Sequence, residues 1–265
     1  GVACRDGKIY VCDLGANRVH VVDMVHQTYA PLGTAQQLTQ PISICITPDG
    51  TKYVCDRMVP RIAVFDAQDR FVRTLLSPGN CTPLSAAVVG NEIFVVDSTD
   101  REVEVWNKDT GQYLRTIATR GEGPDRLGMP NDIVADSKGN LYVSDMLKSV
   151  VGVFNTKGQF LGNIGAPGDT VGYFARPKGM AIDPRDNLYV TDAQWDTVQI
   201  FDPARRILLS FGGPRPTPNG LGGPAGVAIG TDQASIDAFR KNLSPDFTPE
   251  YLVVVTNQTG NNKVC

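Results

Sequence analysis

The chain has 265 residues, of which 25 are basic and 28 acidic, giving a net charge of −3. That balance argues against a nucleic-acid surface, whose footprint is a basic patch or stripe. No apolar run approaches the ~20 residues that span a bilayer, so insertion of this chain into a membrane is not expected either.

Read in order, the chain is a series of short apolar runs parted by turn residues. Val2-Ala-Cys4 turns at Asp6-Gly7 into Ile9-Tyr-Val11, which ends at Asp13. The same phrase returns as Ile44-Cys-Ile46, Asp49-Gly50 and Tyr53-Val54 before Asp56, then as Ala86-Ala-Val-Val89, Gly90-Asn91 and Ile93-Phe-Val-Val96 before Asp97. Blades four and five repeat it most clearly, ending at Asp145 and Asp192. Asp, Asn and Gly pairs between such runs mark tight hairpins, because those turns need positive φ. Third runs such as Arg61-Ile-Ala-Val-Phe65 alternate with a period of two, the mark of a strand with unlike faces. Fourth runs such as Phe71-Val-Arg-Thr-Leu75 make the outer edge.

A proline precedes the first run at Pro41, Pro83, Pro130, Pro177 and Pro224, in steps of 42, 47, 47 and 47 residues. A four-strand unit at this period is the signature of a propeller blade. The fold expected is all-β, a six-bladed β-propeller of four-stranded antiparallel blades. The chain is read as one domain with blades at 1–40, 41–82, 83–129, 130–176, 177–223 and 224–265. In the sixth, Tyr251-Leu-Val-Val-Val-Thr256 follows an insertion at about 232–249, and the sequence stops at Cys265 within the third strand. An incomplete blade exposes edge strands, so a segment of a longer polypeptide is expected. Ile236, Phe239 and Leu243 fall at helical spacing in the insertion, behind a Thr231 or Ser235 cap.

The pattern Pro-x-Gly-apolar-Ala, Leu-Tyr-Val-x-Asp, Val-Gln-Ile-Phe-Asp and Phe-Gly, best seen from Pro177 to Gly212, resembles the NHL repeat. Arg120-Gly-Glu-Gly-Pro-Asp-Arg-Leu-Gly-Met-Pro130 is similar to the glycine-rich loops of secreted bacterial six-bladed propellers. The resemblance implies an extracytoplasmic location, periplasmic, cell-surface or secreted. Three glycosylation-type triplets, at Asn80, Asn242 and Asn257, point weakly the same way.

Residues repeated around a ring are read as braces: the Asp that closes each second strand, and Tyr10, Tyr53, Tyr142 and Tyr189 between blades. Function is sought where the repeats differ, on the face shared by the loops entering the inner strands and those joining strands two and three. Asn131 and Asp132 stand there in blade four, Arg176 and Lys178 one blade on, and Trp195 and Asp196 in a second-to-third-strand loop. Three glycine-rich loops, from Thr119, Gly165 and Gly212, would form a rim of conformationally free chain. Ile236, Phe239 and Leu243 are a second candidate surface, on the inserted helix.

No catalytic constellation stands out. The expectation is a non-catalytic protein-interaction or scaffold module in a cell-envelope or extracellular complex, with another protein as partner and no cofactor or metal. The alternative is a calcium-dependent propeller hydrolase or lyase at the channel mouth, for which Asn131, Asp132 and Asp136 are a partial oxygen set. Histidine-held zinc finds only His20 and His26. A further alternative, RNA binding, would need Arg120, Arg126, Arg176, Lys178 and Arg215 to gather with Tyr173, Phe174 and Trp195. The six cysteines, at 4, 12, 45, 55, 81 and 265, lack metal spacing and read as small structural thiols, with one disulfide among them as the alternative.

Overall fold

Each proline anchor opens an inner strand, the one place in a ladder where a missing N–H does no harm. These strands are Pro41–Ile46, Pro83–Val89, Pro130–Ala135, Pro177–Ile182 and Pro224–Gly230, with Val2–Arg5 in blade one. Second strands Lys8–Asp13, Lys52–Asp56, Glu92–Asp97, Leu141–Asp145 and Leu188–Asp192 all end on the recurrent Asp. The third and fourth strands follow in sequence, so blades one to five are four-stranded antiparallel sheets running from inner to outer strand. The protein, seen in a computed structural model that describes residues 1–76, 79–214, 220–240, 243–259 and 264, is an all-β, six-bladed β-propeller.

Blade six pairs Pro224–Gly230 with Leu252–Asn257, a two-stranded sheet among the described residues, and Val264 bridges Thr256 antiparallel. The intended third strand up to Cys265 lies otherwise outside those residues, as do Arg215 and Asn242.

Apolar layers fill the seams between blades. Phe94, Val103 and Val105 of blade three pack in one cluster with Ile133, Leu141 and Phe154 of blade four. The repeated tyrosines sit in these seams, Tyr142 with Met180 and Leu188 of blade five and Tyr189 with Val227 and Val255 of blade six. Near the axis the inner strands crowd: a Cβ on Gly179 would lie 2.5 Å from the Ala225 carbonyl oxygen.

The inserted helix, Gln233–Arg240, closes the ring. Its cap is Asp232, not Thr231 or Ser235: the Asp232 carboxylate accepts the Ser235 N–H at 2.8 Å. The Gly7 N–H of the first hairpin donates both to Asp232 at 3.1 Å and to the Ser235 hydroxyl at 3.1 Å. Blade six is thereby latched to blade one. Ile236 is buried, while Phe239 and Leu243 are half-buried. The helix ends at Arg240, so it carries Ile236 and Phe239 but not Leu243.

The recurrent Asp does more than brace its own turn. Asp145 accepts Leu147 N–H and Lys148 N–H in that turn, and also Gly128 N–H at 2.6 Å and Met129 N–H at 2.9 Å in the loop leading into the inner strand. Asp192 does the same for Gln194 and Trp195 on one side and Ala175 and Arg176 on the other. Asp56 holds Thr39, Gln40 and Arg61. Among the described residues Asp13 reaches Gly15 and Ala16 in the backbone and His20 in side chain, and its side chain is 42% exposed.

Two outcomes follow from this brace. Asp145→Ala leaves four backbone donors without their acceptor, and urea denaturation should show a loss of about 3 kcal/mol, against about 1 kcal/mol or less for Asp13→Ala. Equal losses would mean that the lead-in loop contributes nothing. Burial raises the Asp56 carboxyl, but the N–H groups of Thr39 and Gln40, the Thr39 hydroxyl and Arg61 outweigh it and hold it below its ordinary 3.8. Its contribution to stability is present above that value and is lost as pH falls through the folded-state value. The acid limb of the stability curve should be shallower in Asp56→Asn; an unchanged limb would contradict the assignment.

Candidate functional site

The residue after each proline anchor projects at the mouth of the central channel. Five blades supply Ile42, Leu84, Asn131, Lys178 and Ala225, all half-buried and all lining one cavity of about 1430 Å³ along the axis. The ring is therefore amphipathic, with Asn131 and Lys178 side by side and an apolar arc opposite. Spacing from the proline was the signal for this ring, since the anchors set which residue faces the mouth.

One residue deeper stand Ser43, Ser85, Asp132, Gly179 and Gly226. Asp132 is committed here to the frame. Its Oδ1 accepts the Ser85 hydroxyl at 2.5 Å from blade three and the Ile133 N–H at 3.0 Å. Its Oδ2 accepts the Met180 N–H at 2.7 Å from blade five. Burial pushes the carboxyl up, against the opposing pull of those donors. One side chain thus ties three blades together. The residue before the recurrent Asp helps: the Ser144 hydroxyl donates to the Lys178 carbonyl at 2.7 Å, and Thr191 to the Gly179 carbonyl at 3.1 Å.

Lys178 does not pair with Asp132. Among the described residues the Lys178 ammonium, the Arg176 guanidinium and the Asn131 carboxamide have no hydrogen-bond or ion-pair partner. Burial, and then the neighbouring Arg176 charge, push Lys178 below its ordinary value. Arg176 is exposed and stands outside the cavity wall.

Trp195 and Asp196 also lie off the channel, in the loop before the third strand of blade five. The indole N–H donates to the Gly168 carbonyl at 3.1 Å, and the ring is 40% exposed. Asp196 accepts the Gly223 N–H at 2.6 Å, fastening the loop that leads into blade six. The six candidates thus divide into channel residues (Asn131, Asp132, Lys178) and residues of the surrounding rim (Arg176, Trp195, Asp196).

The glycine-rich loops are clamped rather than free. Each closes on itself through a parallel bridge, Arg120 to Leu127, Pro167 to Phe174 and Pro214 to Leu221, and each buries that Leu or Phe. Residues 215–219 of the third loop lie outside the described residues. Gln199 secures the second: its Oε1 accepts Gly172 N–H at 2.6 Å and its Nε2 donates to the Tyr173 carbonyl at 2.7 Å. Glu104 occupies the matching third-strand position in blade three. It accepts the Trp106 indole N–H at 2.7 Å and lies with Cys81 and Asp97 in a buried cluster whose potential ligand atoms are within 4.8 Å of one another. Burial raises the Glu104 carboxyl, and Asp97 already accepts N–H groups from Thr82, Thr99 and Asp100. The cluster reads as the same loop clamp in different residues.

Asp136 lies beyond the far end of the inner strand from Asn131, its oxygens taken by Lys138 N–H, Asn140 and Tyr142, so the partial calcium set does not converge. Of the residues named for RNA binding, Arg215 lies outside the described residues. Phe174 is buried and unavailable as a base platform. His20 bridges Asp13 and Tyr29 within blade one, and His26 contacts Asp23.

A β-propeller with a one-sided channel mouth is the class these features define. The comparisons with known proteins agree on the fold. A family model described as DUF5128, 6-bladed beta-propeller, matches residues 131–203. A Bacteroides thetaiotaomicron protein of unknown function superposes with a TM-score of 0.70 at 16% identity, over 84% of this chain and 62% of its own. An auxiliary nutrient binding protein from Bacteroides ovatus gives 0.63 at 15%, over 84% and 61%, and virginiamycin B lyase from Staphylococcus aureus 0.62 at 17%, over 86% and 73%. This chain thus spans a little over three fifths of the two Bacteroides proteins. No curated protein sequence matches it significantly.

The five described cysteines are free thiols. Burial, with Asp232 adding, pushes Cys4 up to about 11, and burial does the same to Cys45, with Asp132 adding. Because the thiolate is the nucleophile, alkylation of these two at pH 8 should run about a hundredfold slower in the folded protein than in urea. Peptide mapping after iodoacetamide checks this, and comparable native and denatured rates would overturn the packing described.

Proposed function

We propose that the protein is a non-catalytic interaction module of the NHL-repeat type. It docks a partner protein on its loop face within a cell-envelope or extracellular assembly. The observation that carries this reading is the distribution of exposed apolar side chains.

Loops between second and third strands are places for polar turn residues, yet here they present Leu14, Met58, Val59, Leu147 and Trp195 to solvent, Met58 and Leu147 at 64% each. The lead-in loops on the same face add Met129, Val171 and Tyr173. On the opposite, hairpin face the described residues offer Val25 and, from the insertion, Phe247, while a separate exposed apolar set that includes Tyr29, Val72, Leu76, Leu114, Leu208 and Leu209 runs along the outer fourth strands. Of the two ends of the propeller it is thus the loop face that carries more exposed apolar surface, and exposed apolar patches mark contact surfaces. Methionine and tryptophan suit that use, one adaptable and the other a large rigid anchor. Clamped lead-in loops favour the reading too, because a pre-ordered surface loses less entropy on association. The extracytoplasmic placement rests on the likeness of the repeat and its glycine-rich loops to secreted propellers.

Site-specific photo-cross-linking from position 147, in the cells that make the protein, should capture one dominant partner, whereas a cross-linker at Lys157 on the hairpin face should not. Affinity for that partner should then fall about tenfold to a hundredfold in the Met58→Ser, Leu147→Ser, Trp195→Ala triple variant. Unchanged affinity in a folded triple variant would sink the loop-face reading.

A further inference from the structure

We propose that the channel mouth is a binding site for a small organic carboxylate, held by Lys178 and Asn131 with its apolar body lying in the channel. This site is separate from the rim surface, and the proposal does not rest on the docking of a partner there.

The argument begins with a charge. Lys178 is a half-buried ammonium in the wall of a cavity, and no carboxylate among the described residues reaches it. The nearest acid on its ring, Asp132, has Oδ1 filled by Ser85 and Ile133 and Oδ2 filled by Met180. A cation withdrawn from water without a partner is costly, and an incoming anion removes that cost. Low-dielectric walls strengthen the attraction well beyond its value at an open surface. Arg176 stands close enough to depress Lys178 further, so a second positive charge lies beside it.

The donors specify the anion. Asn131, on the adjacent blade at the matching position, has an unpartnered carboxamide whose N–H₂ complements the ammonium. Two donors side by side suit the two oxygens of one carboxylate. A dianion is disfavoured by Asp132 one residue below. The remainder of the ligand is specified by the walls. Ile42, Leu84 and Ala225 hold the ring position in three other blades, and Cys45, Val88, Val134, Ile182 and Ile229 also line the channel. These side chains reward the burial of hydrocarbon, while Asp13, Asp49, Asp136, Asp183, Arg5 and Lys108 place charge elsewhere in the same lining. About 1430 Å³ is ample for such a body.

The test uses the full chain, ¹⁵N-labelled, and three probes: octanoate, 1-octanol and acetate. Octanoate should give saturable shifts at the amides of Asn131, Lys178, Gly179 and Gly226. Octanol lacks the charge and acetate lacks the body, and each should bind about tenfold or more weaker. Lys178→Gln should weaken octanoate by a similar factor, and Lys178→Arg should retain most of it. If Lys178→Gln loses the native spectrum, Asn131→Leu carries the same comparison. Absence of saturable shifts at the ring, equal binding of octanol, or unchanged octanoate binding in the variant would each overturn the proposal.

Discussion

The loop face depends on one interaction, the acceptor side chain that ends the second strand, a buried carboxylate in blades two to five. A propeller brings two loops together at that point in every blade, one leaving the second strand and one arriving at the inner strand. Their backbone N–H groups have no sheet partner and are partly or wholly withdrawn from water, so each needs another acceptor. A short side chain with two acceptor oxygens answers both loops at once, and Asp145 and Asp192 each take donors from both sides. Blade six makes the same joint with a neutral amide, as the Gly222 N–H donates to the Asn257 carbonyl oxygen at 3.1 Å. Substitution of Asn for Asp keeps an acceptor without requiring a buried charge. The loop face is therefore a built surface, and its exposed side chains stand on a fixed platform.

Much of this frame is readable along the chain because the repeat is local. Proline at the start of the inner strand, Asp at the end of the second and Asp or Gly in the hairpin between them are decided within about fifteen residues, by turn geometry and missing donors. Strand order follows from that, and the observed strands begin and end on those residues. What the chain does not disclose lies across seams. Asp132 looks like a free carboxylate at the mouth when read beside Asn131, and only blades three and five, 47 and 48 residues away, show that its oxygens are filled. The helix cap is similar. Thr231, Asp232 and Ser235 are all plausible caps by type, and the choice is made by Gly7, 225 residues distant along the chain, whose N–H needs the Asp232 oxygen.

Departure from the repeat therefore has two distinct meanings. Some departures substitute one solution for another in the same structural task. Gln199 and Glu104 are the clearest pair: unlike residues at one third-strand position, each reaching polar groups of the blade's own lead-in region or core. Variation of that kind carries no functional message. Other departures have no structural task. Lys178 and Asn131 could be apolar without loss of any hydrogen bond in the frame, since Ile42, Leu84 and Ala225 fill the same ring position in other blades.

That contrast gives the channel a direction. A ring made from equivalent positions would present the same chemistry all round, and a ligand in it would have no preferred orientation. Here, among blades two to six, two adjacent positions are polar and three are apolar, so the potential and the wetting both vary across the mouth. Charge attracts from one side while hydrocarbon contact is gained on the other, and the two are satisfied together only by a molecule that is itself divided into an anionic end and an apolar end. A fully charged ion would leave the apolar arc unused, and a fully apolar one would leave Lys178 desolvated and unpaired.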